Sequence, residues 1–244
     1  MLPALRGLFL DGGMCMGLLA RIWVNTLEKP YHFLMPRIRI RKRIYGLPYV
    51  INLNDHLFFL NYKREKEVAK ILSRKWGKVW DVGCNFGLFS ILSASKDNEV
   101  VSFDLSRLAL SYLQQSAALN KVSIQTVDRP LTVKPVRFSR VKDAKCTNRV
   151  TFSENGEEWS IPFTEAAEKY GTPDLIKMDI EGGEKSFLEH PPFLDWLTEN
   201  RVSLLVELHD MFHPAANILP EHEQLRVEEL DEITGSWHAL YQIQ

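Results

Sequence analysis

A mostly parallel, twisted α/β sheet with helices on both faces is the fold that this 244-residue chain predicts. Three observations carry that expectation. Short apolar runs alternate with helix-period segments from about residue 62 onward. The clearest run, Lys78–Val82, contains Asp81 near its end and turns through Gly83 and Gly87 into a helix starting near Phe86. Seventeen residues beyond Gly87, a second apolar run, Val-Val-Ser-Phe, ends in Asp104.

The elements follow in order. Arg37 to Arg43 alternates charged and apolar side chains, which suits an edge strand with one wet face, and Tyr49–Leu53 suits a second short strand. Residues 62–76 predict a helix with Val68, Ile71 and Leu72 on one face and Gly77 as its stop. Strand 78–82, a helix to about Ser95, strand 99–103 and a helix capped by Ser106 and ended by Asn120 come next. The stretch 121–161 is weakly patterned, with β-like pieces at 122–127, 136–141 and 150–152. Asn155-Gly156 marks a hairpin turn between 150–152 and 159–161. Thr164 is expected to cap a short helix closed by Gly171. Strand 175–180, a short helix stopped by Pro191-Pro192, and the apolar strand 202–208 follow. A helix from Pro220 to Gly235 and an antiparallel C-terminal strand, Trp237–Ile243, complete the expectation.

With 45% hydrophobic and 25% charged residues, the chain can bury a sizeable core. The expected organisation is a basic N-terminal extension over 1–48 and the α/β domain over 49–244. The formal net charge is −1, yet residues 1–80 carry 15 Lys/Arg against 5 Asp/Glu, and residues 81–244 carry 15 against 26. Peripheral contact of the basic segment with an anionic surface is one reading; solvation of a face is preferred. Nucleic acid is not expected as a partner. Cys15, Cys84 and Cys146 are odd in number and far apart, which argues for a reducing compartment and a cytoplasmic location. No Cys/His spacing resembles a zinc site, and no metal is expected. The apolar stretch Gly7–Val24 is broken by Asp11 and Arg21, too short and too charged to span a bilayer, and it lacks the order of a signal peptide.

Charge selects the ligand of the first turn. A dinucleotide-binding turn needs glycine two residues after Gly83 so that a pyrophosphate can approach the helix, and this chain has Asn85 there. Asp81 beside a pyrophosphate is electrostatically wrong, whereas beside an amino group or a cation it is right. S-adenosylmethionine, with an ammonium group and ribose hydroxyls for Asp104, meets those demands better than a nicotinamide dinucleotide. The candidate cofactor residues are Asp81, Gly83, Cys84, Asn85, Phe86, Gly87 and Asp104.

A second acidic cluster, Lys177-Met-Asp-Ile-Glu-Gly-Gly-Glu184, leaves a buried strand. Strand alternation puts Lys177 and Asp179 on one face, and Glu207 and His209 pair in the same way on the strand ending Val-Glu-Leu-His. Lys177 and Glu207 lie inside apolar strands and read as an ion pair, because a buried charge needs a partner. Glu184 reads as a helix N-terminal acid. His190, His213, His222 and His238 read as surface or packing residues. Asp179, Glu181 and His209, at strand ends, are the catalytic candidates.

Asp81–Gly87, Asp104, the element Lys177-x-Asp-x-Glu-Gly-x-Glu184 and Val206–His209 together resemble the FkbM family of S-adenosylmethionine-dependent methyltransferases. The resemblance runs from about residue 50 to the C-terminus. It implies a class I methyltransferase fold, Rossmann-like, and O-methylation of a small-molecule or saccharide hydroxyl. His209 or Asp179 would then be the base and Glu181 would orient the acceptor, with Mg²⁺ binding by Asp179, Glu181 and His209 ranked below base catalysis. The chain departs from the family at Ile161-Pro-Phe-Thr164, and its single clear strand after the last helix implies a shortened terminal hairpin. A weak or inactive S-adenosylmethionine-binding module is the alternative, and a nicotinamide dehydrogenase ranks third.

Overall fold

The computed structural model describes residues 39–52, 65–140, 151–209, 225–233 and 236–243. The chain divides into two compact units, Met1–Arg64 and Glu65–Gln244. In the first, β1 (Arg39–Ile44) and β2 (Leu47–Asn52) form an antiparallel hairpin. Tyr45 and Gly46 both take positive φ at its two-residue turn, the backbone twist that hairpins favour. Arg39, Arg41 and Arg43 are exposed and Ile44 is buried, the wet and dry sides expected from the alternating run. A division at residue 48 falls inside β2, all of whose residues pair with β1.

The second unit opens with α1 (Lys66–Leu72), β3 (Lys78–Val82), α2 (Leu88–Ala94), β4 (Glu99–Phe103), α3 (Arg107–Asn120) and β5 (Gln125–Val127). Five short strands follow: β6 (Leu131–Thr132), β7 (Arg137–Ser139), β8 (Thr151–Phe152), β9 (Glu158–Trp159) and β10 (Ile161–Pro162). The remainder is α4 (Phe163–Tyr170), β11 (Leu175–Met178), α5 (Glu184–Leu188), α6 (Pro191–Glu199), β12 (Ser203–His209), β13 (Leu225–Ile233) and β14 (Ser236–Ile243). Among the described residues no helix is long and apolar enough to cross a membrane.

Seven strands form one sheet in the order β13-β14-β12-β11-β3-β4-β5. Pairing is parallel from β12 to β5, while β14 runs antiparallel to both β12 and β13. From β3 the chain steps outward to β4 and β5, and β11 takes the opposite side. The strand order therefore reverses between β3 and β11, and the crevice at their carboxyl ends is where open α/β sheets bind ligands.

Strand alternation gives the two faces different chemistry. Trp80, Val82, Val101, Phe103, Ile176, Met178, Leu204 and Val206 join an apolar cluster with Phe163, Phe187, Phe193 and Leu197. In it Trp80 meets Phe103 edge-on at 5.4 Å between ring centroids and stacks with Trp196 at 6.3 Å. Such pairs contribute about 0.5–1.5 kcal/mol each beyond the area they bury. The opposite set includes Asp81, Ser102 and Lys177, all buried, and Ser90 of α2 reaches them. One face is a dry core; the other carries buried charge toward the crevice.

Several local expectations are corrected. Leu225–Ile233 is strand β13, not helix, so the terminal hairpin is complete; residues 220–224 lie outside the described residues. A bulge between Glu229 and Asp231 shifts the two-residue alternation, so Val227, Leu230 and Ile233 recur every third residue and imitate a helix. The helix expected over 62–76 ends at Leu72, where Ser73 turns back to the Ala69 carbonyl, and residues 62–64 lie outside the described residues. Pro191 and Pro192 open α6 rather than stop a helix, because proline at the first positions lacks only an N–H that needs no partner. Pro162, not Thr164, precedes the first turn of α4. The Ser153–Gly156 turn forms, but β8 and β9 flank β7 instead of pairing with each other. A Cβ on Gly156 would come within 2.4 Å of the Phe138 amide, so this glycine lets the turn cross β7.

Candidate active site

The turn after β3 is shaped first by its own protein. Gly83 has φ 79°, and a Cβ there would fall 1.7 Å from the Asp179 carbonyl oxygen. Gly87 has φ 84°, and its Cβ would meet Leu113 of α3 at 2.5 Å. Both glycines are therefore demanded by backbone and side-chain approach within the fold, where the sequence suggested approach to a ligand. Asn85 adopts φ 48°, and its amide donates to Asp104 Oδ2 at 2.7 Å. The Ser106 amide donates to Asp104 Oδ1 at 2.7 Å. Asp104 thus locks the β3 turn to the start of α3. Burial pushes its carboxyl up to about 6, against the Ser106 and Asn85 N–H groups that lower it.

The side chains of Cys84 and Phe86 are buried. Burial, reinforced by Asp104 and Asp81, pushes the Cys84 thiol well above its ordinary value, which makes it a packing group and not a nucleophile. Asn85 Oδ1 is buried at this turn without a hydrogen-bond donor, and Asp81 Oδ1, beneath it, has the Lys177 ammonium at 3.8 Å. A ligand bringing an ammonium or hydroxyl donor fits such a turn, and one bringing phosphate oxygens does not.

Beneath the turn lies a charge network. Asp81 is 1% exposed and accepts from Ser90 Oγ at 2.5 Å, and Ser90 in turn accepts from Ser102 Oγ at 2.9 Å. Lys177 pairs in register with Asp81 across β11 and β3. Its Nζ stands 3.8 Å from Asp81 Oδ1 and 3.1 Å from Asp179 Oδ2. Burial opposes the ammonium charge, but Asp179, Asp81 and Glu207 outweigh it and raise Lys177 above its ordinary value. The sequence pairs Lys177 with Glu207; in the structure Asp179 and Asp81 are its close anions, while Glu207 stands 3.4 Å from His238 and attracts Lys177 from a neighbouring strand.

Asp179 sits at the rim, with its side chain 26% exposed and its amide donating to the Val82 carbonyl at 2.9 Å. Glu181 is exposed with φ 55°. The loop between them is held by Glu184, whose buried carboxylate accepts from the Ile180 amide at 2.6 Å and the Gly182 amide at 2.8 Å. Glu184 is therefore a loop clamp at the start of α5. The backbone of His209 ends β12 opposite Ser236; its side chain lies outside the described residues.

His238, a surface or packing residue by its sequence, is a buried ionic one in the structure. Its Nε2 lies 3.4 Å from both Glu65 Oε1 and Glu207 Oε2. Burial lowers its pKa, but Glu207 and Glu65 prevail and raise it to about 9. One ligand atom from each of the three residues lies within 4.8 Å of the others, a spacing a cation can share. Protonated His238 is itself that cation. A histidine inside the apolar run Trp237-His-Ala-Leu-Tyr241 was the available signal. Ser90, in the apolar helix Leu88–Ala94, was the signal for the buried acceptor Asp81.

No pattern in the sequence signals the Arg140 anchor. Its guanidinium grips Glu158 through Nε at 2.5 Å and Nη2 at 2.8 Å. It also donates to the Leu105 carbonyl at 2.6 Å and to the Asp128 carbonyl. These bonds tie the β8-β7-β9 sheet to the loops that leave β4 and β5, directly after Asp104.

Solved structures share this architecture. An S-adenosylmethionine-dependent methyltransferase from Agrobacterium tumefaciens matches with a TM-score of 0.51 and 12% identity, over 84% of this chain and 70% of that one. The complex of aTrm5 and tRNALeu matches with a TM-score of 0.52 and 13% identity, over 85% and 54%. The tRNA (uracil-54, C5)-methyltransferase of Pyrococcus abyssi, in complex with S-adenosyl-L-homocysteine, gives 0.45 and 15%, over 84% and 44%. The chain thus spans about half the length of the last two. No family model matches the chain, and no curated protein does. The aTrm5 complex overturns the expectation that nucleic acid is no partner, since a protein of the same architecture is solved on tRNA. The strand order, the switch-point crevice and the two matches with TM-scores above 0.5 together identify the class I S-adenosylmethionine-dependent methyltransferase fold.

Proposed function

We propose that this chain is an S-adenosylmethionine-dependent methyltransferase that acts on a hydroxyl oxygen, as the FkbM resemblance implies. The observation that carries the reading is the Asp81–Lys177–Asp179 network beneath the Gly83–Gly87 turn at the switch point. Two carboxylates and one ammonium give it a net charge of about −1. The donor's ammonium, carboxylate and sulfonium sum to one positive charge, whereas a pyrophosphate cofactor brings negative charge to the same place.

When bound, S-adenosylmethionine supplies a methyl group already activated on a positively charged sulfur. The chain's own work is orientation, exclusion of water and proton removal. The Gly83–Gly87 backbone and the side chain of Asp104 face the donor, while Asp81, Cys84 and Phe86 act from beneath. Asp179, at the rim, accepts the acceptor hydroxyl's proton, with His209 as the other candidate base. Glu181, exposed beside it, accepts a hydrogen bond from the acceptor. The odd, separated cysteines accord with a cytoplasmic setting.

Calorimetry with S-adenosylmethionine and with NADH tests the donor, and labelled methyl transfer to polyhydroxylated metabolites, saccharides and RNA tests the acceptor. Donor binding is expected with S-adenosylmethionine alone, and Asp179→Asn should lower turnover by roughly 10²–10⁴-fold. Binding of NADH without S-adenosylmethionine sinks the proposal.

A further inference from the structure

The geometry points to Lys177 as a positioning residue that couples the donor turn to the acceptor rim, an inference that rests on the methyltransferase reading. Lys177 is 4% exposed and reaches two carboxylates with different tasks. Asp81 lies under the turn, bound to Ser90, and Asp179 lies at the rim. The two strands carrying these acids are already joined where they leave the sheet. The Asp179 amide donates to Val82, and the Asp179 carbonyl lies against Gly83. A shift of the turn on donor binding therefore moves Asp179, and Lys177 is the side-chain link in the same joint.

The charges facing Lys177 come from three strands: Asp81 on β3, Asp179 at the end of β11 and Glu207 on β12. Asp104, after β4, feels both Asp81 and Lys177. Removal of the ammonium leaves carboxylates facing one another across a buried gap. Asp179 loses the closer of the two ammonium contacts, 3.1 Å against 3.8 Å for Asp81, so its carboxylate takes up a proton more readily than in the wild type. As a carboxylic acid it no longer accepts the proton of an acceptor hydroxyl.

The test compares Lys177→Met with Lys177→Arg by carbon-detected titration of the Asp179 carboxyl in the free protein, together with donor calorimetry and turnover against pH. Lys177→Met should raise the Asp179 titration by about one unit or more. It should also move the acid limb of kcat upward by a similar amount, a loss of about tenfold on the acid side that fades toward neutral pH. Lys177→Arg, which keeps the cation, should restore the acid limb. If Lys177→Met fails to fold, Asp81→Asn/Lys177→Met removes both members of the deepest pair and still leaves Asp179 without its cation, so a smaller shift in the same direction is expected. An Asp179 titration and acid limb unchanged in a folded protein lacking the lysine overturn the inference. A wild-type protein that binds no S-adenosylmethionine overturns the methyltransferase reading instead.

Discussion

Two buried cations stand on the same face of one sheet, and they differ in kind. Lys177 lies between Asp81 and Asp179, and His238 lies between Glu65 and Glu207. Their strands are linked in register, Lys177 opposite Leu205 and Glu207 opposite His238. Each arrangement is carboxylate, cation, carboxylate. The ammonium stays charged at every pH the protein meets, whereas the imidazolium is raised only to about 9. The first is a fixed field beneath the crevice; the second is a tie between the start of α1 and strands β12 and β14 that alkaline buffer can undo.

Removing the fixed cation should have the largest effect. Lys177→Met leaves a buried carboxylate uncompensated, and denaturant unfolding should show a loss of about 3–5 kcal/mol. Asp81→Asn/Lys177→Met should recover much of it. A double variant no better than the single one would mean that Lys177 stabilises by packing and not by charge.

The next effect tests whether the turn is as rigid as the charges beneath it. Gly83→Ala places a methyl group against backbone, which cannot swing away, and should cost about 3 kcal/mol or more. Gly182→Ala is the control. It has φ 100° but open space within 4 Å, and should cost about 1 kcal/mol. Equal losses would show that φ, and not the Asp179 carbonyl, sets the demand for glycine.

The titratable cation gives a signed pH dependence. The pKa of His238 is higher in the folded chain than in the unfolded one, so its contribution is fully present below about pH 6.5 and is lost as pH rises through about 9. The shift corresponds to about 3 kcal/mol. Stability of the wild type should fall between pH 7 and 10, and His238→Gln should flatten that slope. A slope equally steep in the variant would break the contrast between the two sites.

The smallest expected effect lies at Asp104. With its carboxyl raised to about 6, donor affinity should weaken as pH falls from 7 to 5, and Asp104→Asn should remove most of that dependence. A dependence that survives in Asp104→Asn would assign the titration to another group.

What was legible in the sequence follows from how local each signal is. β3, the Gly83–Gly87 turn and the interval to Asp104 are contiguous, and their pattern stood out. Lys177 and Asp179 were legible as a pair because alternation fixes their shared face. That Asp81 completes the pair was not, since the β3–β11 register is a tertiary fact. His238 was missed for the same reason: its partners are distant in sequence, Glu207 by 31 residues and Glu65 by 173. β13 was misread because its bulge gives a strand a three-residue period. The Arg140 anchor joins the carboxylate of Glu158, 18 residues away, to two carbonyl oxygens, a set of partners that only the folded chain brings together.

The position of β14 has a consequence for how the sheet is assembled. It follows β13 in the chain yet lies inside it, between β12 and β13. During synthesis, β12 therefore waits as an open edge with its main-chain groups unpaired, and Glu207 waits without the imidazole that faces it. Until residues 236–243 emerge, the growing chain offers a neighbouring copy a ready pairing site. Pairing of β14 with β12 closes that edge and removes the site.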